Sequence, residues 1–425
     1  MLKKLSILFV GLCFLQSTLT AQINVDTLHV KLIDAEKMFL DSNLLLLAQK
    51  YNVDASEALI VQAKLLPNPN FSIGHGLYSG QLHQFFPVGN NDETTADISQ
   101  LIQLAGKRNK QIKLAQANVK LSEYQFFDLI RTLKYTLRTD FYNIYYLQES
   151  EKVYSEEINA LQQVVNAFEQ QEGKGYIAEK EVVRIKAQLY SLQSEYNDLQ
   201  NQVYDLQSEL RVVLQIKPGK YIDPLTDSVS IEALDPAKYT LNTLLDSAYK
   251  NRTDLLIAQA NSDINRLNYD YQKALAVPDL TLSVGYDEQG SFDFNFYSIG
   301  ASIDLPFFNR NQGNIKSAKS MIDYSTATQK STEATVGENV SRSLEKAYTE
   351  DKLYKNIDPK FSGDFDRLAN EVLINYQKRN LGLLDFLDFY DSYKQNILQI
   401  NSIKYNRVQS FEDINFYTGT NFFNQ

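Results

Sequence analysis

Residues 98–108 read ISQLIQLAGKR, and residues 299–305 read IGASIDL with the same spacing of apolar side chains. The second stretch alternates apolar with small or polar residues, and the first does so less regularly. Alternation with a period of two is typical of a β-strand. A long polar–apolar segment follows each stretch, so both predict a strand that leads directly into a helix.

These two stretches belong to a duplication that covers most of the chain. Residues 40–42 (LDS) recur at 245–247, and residues 69–74 align without gaps to residues 278–283, a separation of 209. A repeated plan predicts two copies of one structural unit. We expect a first repeat at 22–222, a linker at 223–239 and a second repeat at 240–425. Because prolines occur at 218, 224 and 236, the segment 217–236 is expected to have little regular structure.

Each repeat is expected to contain a helix, two strands and a helical hairpin. The strands are expected at about 69–79, 93–104, 278–288 and 295–306, and the hairpins at 107–216 and 311–418. Residues 111–170 contain neither proline nor glycine, and their apolar residues recur in steps of three and four, as in coiled-coil-like helices. At a rise of 1.5 Å per residue, such a helix could reach about 90 Å.

The predicted strands have about ten residues each, the length that a tilted strand needs to cross a bilayer. Four strands do not close a membrane barrel, because known barrels have about eight or more. Two chains would supply eight strands and three chains would supply twelve. The alternative is a soluble sheet of two hairpins packed on the helices, and alternation alone does not exclude it.

The first 21 residues have the features of a secretory signal peptide. Lys3 and Lys4 precede an apolar core, and small, mostly polar residues lead to Ala21. Cleavage after Ala21 is expected, and a buried N-terminal helix is the alternative. Leu12 precedes Cys13, where a lipoprotein signal has a small residue, so lipidation is not expected.

The composition excludes several classes of protein. With 42 Lys and Arg against 52 Asp and Glu, the net charge is −10, unlike the basic footprint of a nucleic-acid-binding protein. The chain has one Cys, and its three His lie apart at positions 29, 75 and 83, so no metal site is expected. No arrangement of nucleophile and base is recognisable. We therefore expect neither an enzyme nor a cofactor.

Three motifs carry a resemblance to the TolC-like outer-membrane efflux proteins. They are residues 98–108, 299–313 and 376–388, in this order within the duplicated plan. The Gly-Lys-Arg at 106–108 is most similar to the branch that serves heavy-metal exporters. The resemblance implies a homotrimer in the cell outer membrane, with a twelve-stranded transmembrane β-barrel and an α-helical barrel that forms a periplasmic tunnel. It also implies two further partners, a periplasmic adaptor and an inner-membrane pump of the RND type.

The third motif contains the residues that the resemblance assigns to a periplasmic gate. Asp385 and Asp388 lie three residues apart, which places them on one helix face. A trimer would gather six such carboxylates at a constriction that attracts cations. Tyr376 matches a tyrosine that helps to hold the family's closed state. The alternatives are a solvated acidic face, continued by Asp391, and a buried hairpin aromatic.

Two further sets of residues are candidates for contacts with partners. The hairpin turns provide the expected adaptor-docking tips, which are Gly173, Gly175, Leu381, Gly382 and Leu383. The second set places four cations at a helix start, where the helix dipole disfavours them; it consists of Lys107, Arg108, Lys110 and Lys113. Lipid phosphates of the inner leaflet and neighbouring carboxylates are the two alternatives for the compensating charge.

The function expected from these features is a passive exit duct of a tripartite efflux system, for small toxic solutes or metal cations. The exit duct of a type I protein-secretion system uses the same fold and differs in its partners. A soluble or surface coiled-coil scaffold that serves adhesion is a further alternative. The sequence does not name the exported substrate.

Overall fold

The computed structural model describes residues 26–80, 82–88, 93–227, 231–290, 293–378 and 380–423. The expected signal peptide at 1–21 lies outside these ranges. The described residues are mostly helical. None of their helices combines the length and the hydrophobicity that crossing a membrane requires.

We number helices and strands in chain order. The helices are α1 (Leu32–Ser42), α2 (Leu44–Lys64), α3 (Lys107–Glu172), α4 (Glu179–Leu214), α5 (Leu241–Asn251), α6 (Thr253–Leu275), α7 (Gln312–Lys355), α8 (Phe361–Gln377) and α9 (Leu383–Thr418), with a 3-10 helix at Pro236–Lys238. The strands are β1 (Thr27–Lys31), β2 (Asn70–His75), β3 (Tyr78–Ser79), β4 (Gln84–Phe85), β5 (Thr94–Ile102), β6 (Tyr221–Leu225), β7 (Leu280–Asp287) and β8 (Phe296–Ile303).

Four strands form one antiparallel sheet in the order β2-β5-β7-β8. Phe71 lies opposite Ile98, and Val284 lies opposite Ile299. Because Ile98 also pairs with Val284, one apolar row crosses the whole sheet. All four side chains are more than half exposed in the single chain. Among the described residues, β2 and β8 each have a strand on one side only.

The four strands lie inside the expected segments but are shorter. The largest difference is in the first, where β2 ends at His75 and the chain then forms a small hairpin of β3 and β4. His83 and Phe86 in this hairpin have positive φ values of 49° and 51°. The strand expected at 69–79 is therefore interrupted at 76–77, and its last two residues form β3, which pairs with β4.

The duplication is visible in the backbone of the helices that precede the strands. Asn43 separates α1 from α2 with φ −68° and ψ 119°, and Arg252, 209 residues later, separates α5 from α6 with φ −68° and ψ 120°. The Asn43 side chain accepts hydrogen bonds from the backbone N–H groups of Leu45 and Leu46 at 3.0 and 3.1 Å. Its amide also donates to the carbonyl of Val213 at 2.8 Å. Both repeats therefore break the first helix at the same place.

The long helix α3 is covered by different neighbours along its length. Near the sheet it packs between α2 and α6. In its middle, Leu137, Phe141 and Ile144 are fully buried with residues of β1, α1, β6 and α4. Towards its end, Leu161 joins an apolar cluster with Ile185 of α4 and Phe386 of α9. The core is thus distributed along α3.

The structure corrects the expectation that the connection between the repeats has little regular structure. Strand β6 lies in it and pairs in parallel with β1, with Thr27 opposite Tyr221. The Gln207 side chain stabilises β6, because its amide donates to the Ile222 carbonyl at 2.6 Å and its oxygen accepts from the Ile222 N–H at 2.9 Å. Pro224 is tolerated because a proline can sit at the edge of a sheet.

Arg407 of α9 attaches the same connection to the second repeat. Its guanidinium is 1% exposed and donates to Asp351 at 2.8 Å. It also donates to the carbonyls of Ile231 and Leu234 at 3.0 and 2.6 Å. One buried cation therefore joins α7, α9 and the connecting segment.

The hairpin of the second repeat is interrupted where that of the first is continuous. Helix α7 ends at Lys355 and α8 begins at Phe361, so Pro359 lies in the break between them. Gly363 lies inside α8. A single helical glycine costs only about 1 kcal/mol, whereas proline removes a backbone donor.

Asn43 provides a test of the repeated helix break. Replacing it with Ala removes two capping hydrogen bonds and leaves the buried Val213 carbonyl without its partner, so Asn43→Ala should lower the free energy of unfolding by about 1–2 kcal/mol. Lys50→Ala, at an exposed position of α2, is the matched control and should change it by less than about 0.5 kcal/mol. Equal stability of the two variants in denaturant titrations would contradict the capping role.

Candidate functional site

The candidate site is the end of the helical hairpins farthest from the sheet, which we call the tip. Its two turns contain residues 173–178 and, among the described residues, 378 and 380–382. Gly175 has a φ of +77°, which favours glycine, whereas Gly173 is helical with φ −61° and Gly382 is extended with φ −73°. Of these three glycines, only Gly175 is required by its backbone conformation.

Tyr376 is buried at the tip. It is 8% exposed and stacks on Phe386 with ring centroids 4.2 Å apart, while Phe168 lies 6.0 Å away. Its hydroxyl is buried without a hydrogen-bond partner, and burial raises the pKa of this phenol. A buried hydroxyl without a hydrogen-bond partner lowers the stability of the folded chain. A partner from outside the single chain would remove this cost.

The tip leucines divide between the core and the surface. Leu381 and Leu383 are partly buried against the cluster that contains Phe386, whereas Leu384 and Tyr176 are 57% and 74% exposed. The sequence interpretation named the first two and missed the exposed pair. The helical period could have identified Leu384, because it lies two positions before Phe386 and so on the opposite face of α9.

The two candidate gate aspartates are both exposed. Asp385 lies in the first turn of α9, and Asp388 follows three residues later. A carboxylate in a first turn is favoured by the helix dipole. Their exposure is compatible with a solvated acidic face and also with a ring around a narrow opening.

A buried group of charges next to the tip was missed by the sequence interpretation. Lys394 of α9 has a side chain that is 5% exposed, and it pairs with Glu195 of α4 at 2.8 Å and Asp391 at 3.2 Å. Its ammonium also lies 5.9 Å from the centre of the Tyr154 ring of α3. We call Glu157, Glu195, Asp391 and Lys394 the Lys394 cluster. It connects three helices, and no motif marks it because its members are far apart in sequence.

Glu157 of α3 is the deepest carboxylate of this cluster. It is 2% exposed, and its Oε2 atom is buried without a hydrogen-bond partner. Burial raises its pKa to about 7, helped by Asp391 and Glu195 and opposed by Lys394. Near neutral pH, Glu157 therefore exchanges a proton inside the packed helices.

The basic set at the start of α3 is largely occupied by contacts within the chain. Lys107 is buried and pairs with Asp279 at 2.7 Å. Arg108 donates to the Lys64 carbonyl at 2.9 Å, and Lys110 donates to the Ala105 carbonyl at 2.8 Å. The membrane-interface role expected for this set stays a prediction.

Lys113 is the exposed member of the set. For Lys107 the compensating charge is a carboxylate, the second of the two alternatives that the sequence left open. Within the described ranges, no group of three or more His, Cys, Asp or Glu residues is arranged to hold a metal ion.

Comparison with known proteins shows which class of protein the chain resembles. Residues 37–214 match the family described as outer membrane efflux protein. The match covers 178 of the 425 residues, from α1 to the end of α4, and supports the expected place of the chain in the outer membrane. The resemblance inferred from residues 98–108, 299–313 and 376–388 is confirmed.

One relative with a similar sequence supports this resemblance. The cobalt-zinc-cadmium resistance protein CzcC of Cupriavidus metallidurans is 22% identical over 277 residues. That alignment covers 65% of this chain and 63% of CzcC, slightly less than two thirds of the relative.

Solved structures share the fold over nearly the whole chain. The CmeC outer membrane channel of Campylobacter jejuni has a TM-score of 0.75 at 16% identity, covering 92% of this chain and 86% of that one. The outer membrane protein VceC of Vibrio cholerae has a TM-score of 0.70 at 16% identity, covering 92% and 96%. The long helices and the four-stranded sheet therefore belong to the architecture of these outer-membrane proteins.

Glu157 makes the stability of the protein depend on pH. Its pKa in the folded protein, about 7, lies above the value of 4.5 for an unperturbed glutamate. The penalty for burying Glu157 is therefore absent at acid pH, where the carboxyl is protonated in both states, and it grows as pH rises from 4.5 towards 7. Glu157→Gln should remove this penalty, which is up to about 3 kcal/mol of the free energy of unfolding. The stability of the variant relative to the parent should therefore increase between pH 4.5 and pH 8.

Denaturant unfolding in detergent at the two pH values measures this difference. The matched control is Glu156→Gln, because Glu156 is the exposed neighbour on the same helix. If Glu157→Gln and the parent lose the same stability between the two pH values, Glu157 does not titrate in this range.

Proposed function

We propose that this chain is the exit channel of a tripartite efflux system, through which small toxic solutes or metal cations pass from the periplasm to the exterior. The observation that carries the proposal is a β-sheet with an exposed apolar row that continues into very long helices, in a chain that matches the outer membrane efflux family over residues 37–214. The channel is passive and requires no catalytic step.

The barrel part of this proposal is supported by the sheet. An apolar row of Phe71, Ile98, Val284 and Ile299 is exposed in the single chain and suits contact with lipid. Edges without a neighbouring strand are costly in a membrane, since each unpaired backbone group costs several kcal/mol. A homotrimer would join the edges into a twelve-stranded barrel, with the long helices as a periplasmic tunnel.

The partners of the channel would be a periplasmic adaptor and an inner-membrane pump, which we propose to be of the RND type. The tip turns, with Gly173, Gly175, Leu381, Gly382 and Leu383, are the proposed docking place of the adaptor. The resistance to cobalt, zinc and cadmium in the name of CzcC makes metal cations the first substrates to test. The three His residues of this chain leave selection of the substrate to the pump.

The gate of the tunnel is proposed at Asp385, Asp388 and Tyr376. Exposed carboxylates repeated in three subunits would give a ring of negative charge at the tip. The buried hydroxyl of Tyr376 lacks a partner in the single chain, and a neighbouring subunit could supply one. We propose that these contacts hold the closed state.

Deletion of the gene tests the efflux proposal. The deleted strain should become more sensitive to cobalt, zinc or cadmium salts or to other toxic solutes, and the intact gene should restore resistance. Native mass measurement in detergent should give three chains. Loss of secretion of a single protein without any change in resistance would identify a type I secretion duct instead. A protein extracted without detergent would indicate a soluble or surface scaffold.

The gate makes a separate prediction for channel recordings. Asp385→Ala combined with Asp388→Ala removes the proposed ring, so block of the conductance by multivalent cations should weaken at least several-fold. The control is Asp34→Ala with Asp41→Ala, two exposed aspartates of α1, which removes the same charge away from the tip. Equal block in both double variants would remove the gate assignment.

A further inference from the structure

A cavity of about 510 Å³ lies where the start of α6 and the end of α9 meet the side of α3. Apolar and cationic side chains line it together, and Glu412 is the one acidic residue that the described part of the chain contributes to its wall. The apolar residues are Phe127, Ile130, Leu256 and Phe416, and the cationic residues are Arg131, Lys134, Arg138 and Lys250.

Arg138 is the most deeply buried cation of the cavity wall. It is 5% exposed, and it donates from Nη1 to Glu36 at 2.5 Å and from Nε to Glu412 at 2.7 Å. Its Nη2 atom is buried and has no hydrogen-bond partner among the described residues. A buried donor without an acceptor lowers the stability of the fold. An oxygen atom of a molecule in the cavity would provide that acceptor.

The charges around the cavity leave one cation without a partner. The two carboxylates bound by Arg138 are balanced by Arg138 itself and by Lys134, which pairs with one of them at 2.9 Å. Arg131 pairs with Asp128 at 2.7 Å. Lys250, at the end of α5, is exposed and forms no ion pair with a described residue. The cavity is therefore suited to a ligand with a single negative charge.

The second repeat shows that the duplicated fold does not require these cations. Counted from the first residue of each helix, α7 has no charged residue at the positions where α3 has its three cations of the cavity wall. Lys250 is the tenth residue of α5, and the tenth residue of α1 is Asp41, which has the opposite charge. The cationic wall is therefore a feature of one repeat junction alone. The residues of α7 at the three positions are Val336, Asn339 and Ser343.

The other side chains of the wall favour a ligand with an apolar part. Phe127 is 52% exposed although it borders the cavity, and Leu256 of α6 is partly exposed there. Small-molecule sites have volumes of about 300–1,000 Å³ and combine a mainly apolar lining with a few polar groups that fix the orientation of the ligand. A cavity of this size, with one unpaired cation and one unpaired donor, matches that description.

We propose that this cavity binds a small amphipathic monocarboxylate. Its carboxylate accepts a hydrogen bond from Nη2 of Arg138 and pairs with Lys250, and its hydrocarbon tail lies against Phe127 and Leu256. A carboxylate suits this position because its two oxygen atoms can accept from a guanidinium and an ammonium at once. The bound molecule would join α3, α6 and α9. The proposal concerns a site within one chain and does not depend on the transport role proposed above.

Titration calorimetry of the full chain in detergent tests the site, with octanoate as the probe and a titration into detergent alone subtracted. Octanoate should bind saturably at one site per chain. Acetate, which lacks the tail, and 1-octanol, which lacks the charge, should bind at least about tenfold more weakly. Inorganic phosphate that binds more tightly than octanoate would overturn the amphipathic ligand, and the absence of saturable octanoate binding would overturn the site.

Substitution of the exposed Lys250 locates the charge. Lys250→Glu should weaken octanoate binding at least about tenfold, because a charge-assisted contact is replaced by repulsion. Lys250→Arg should keep the affinity within about threefold. The matched control is Lys319→Glu, at an exposed position of α7, which makes the same change of charge outside the cavity wall. Equal affinities of Lys250→Glu and Lys319→Glu would show that octanoate binds elsewhere.

Substitution of Phe127 locates the tail. Phe127→Ala removes part of the apolar wall and should weaken octanoate binding about fivefold. Phe308→Ala, at another exposed phenylalanine, is the matched control and should leave the affinity unchanged. Equal affinities of these two variants would overturn the proposed position of the tail.

Discussion

A helix of 66 residues cannot stand alone, and the rest of this structure follows from covering α3. In proteins, most of the stability of a helix comes from packing of its apolar face. Helices α2 and α6 cover α3 near the sheet, β1, β6 and α1 cover its middle, and α4 and α9 cover its end. No single layer reaches along the whole helix, so the chain has several small cores instead of one.

The helices that cover α3 come from both repeats of the duplicated chain. The two repeats have diverged where their neighbours differ. The breaks at Asn43 and Arg252 keep the same backbone angles, yet only Asn43 caps the following helix with its own side chain. The second hairpin is also divided around Pro359. Its separate helix α8 is held to α9 by aromatic contacts, with Phe365 at 5.4 Å from Phe389 and 5.2 Å from Tyr393. In the second hairpin, α9 therefore packs against two helices, α7 and α8, where α4 of the first hairpin packs against the single helix α3.

Local patterns predicted the long helices and the four sheet strands, because period and the absence of proline act over neighbouring residues. They did not predict β6, because its five residues contain Pro224 and show no period. Its partner strand β1 is also far away in the sequence, since the paired residues His29 and Asp223 are 194 residues apart. The partner of Lys107 is likewise 172 residues distant. At the tip, the resemblance singled out the aspartates, and the position of the hairpin turns singled out the glycines. Burial separated Leu383 from Leu384, and burial depends on which helices meet.

The distribution of charge bears on how firmly the tip helices are joined. Taking an ion out of water costs several kcal/mol. The pairing of opposite charges recovers this free energy only when every polar atom of the charged groups has a hydrogen-bond partner. In the Lys394 cluster three carboxylates face one ammonium, and Oε2 of Glu157 remains unpaired. An apolar contact of the same size would hold α3, α4 and α9 together more strongly. The cluster therefore weakens the packing of these helices at neutral pH. The middle of α3 has a similar conflict, because Asp140, next to the buried Phe141, is itself buried with its Oδ2 atom unpaired.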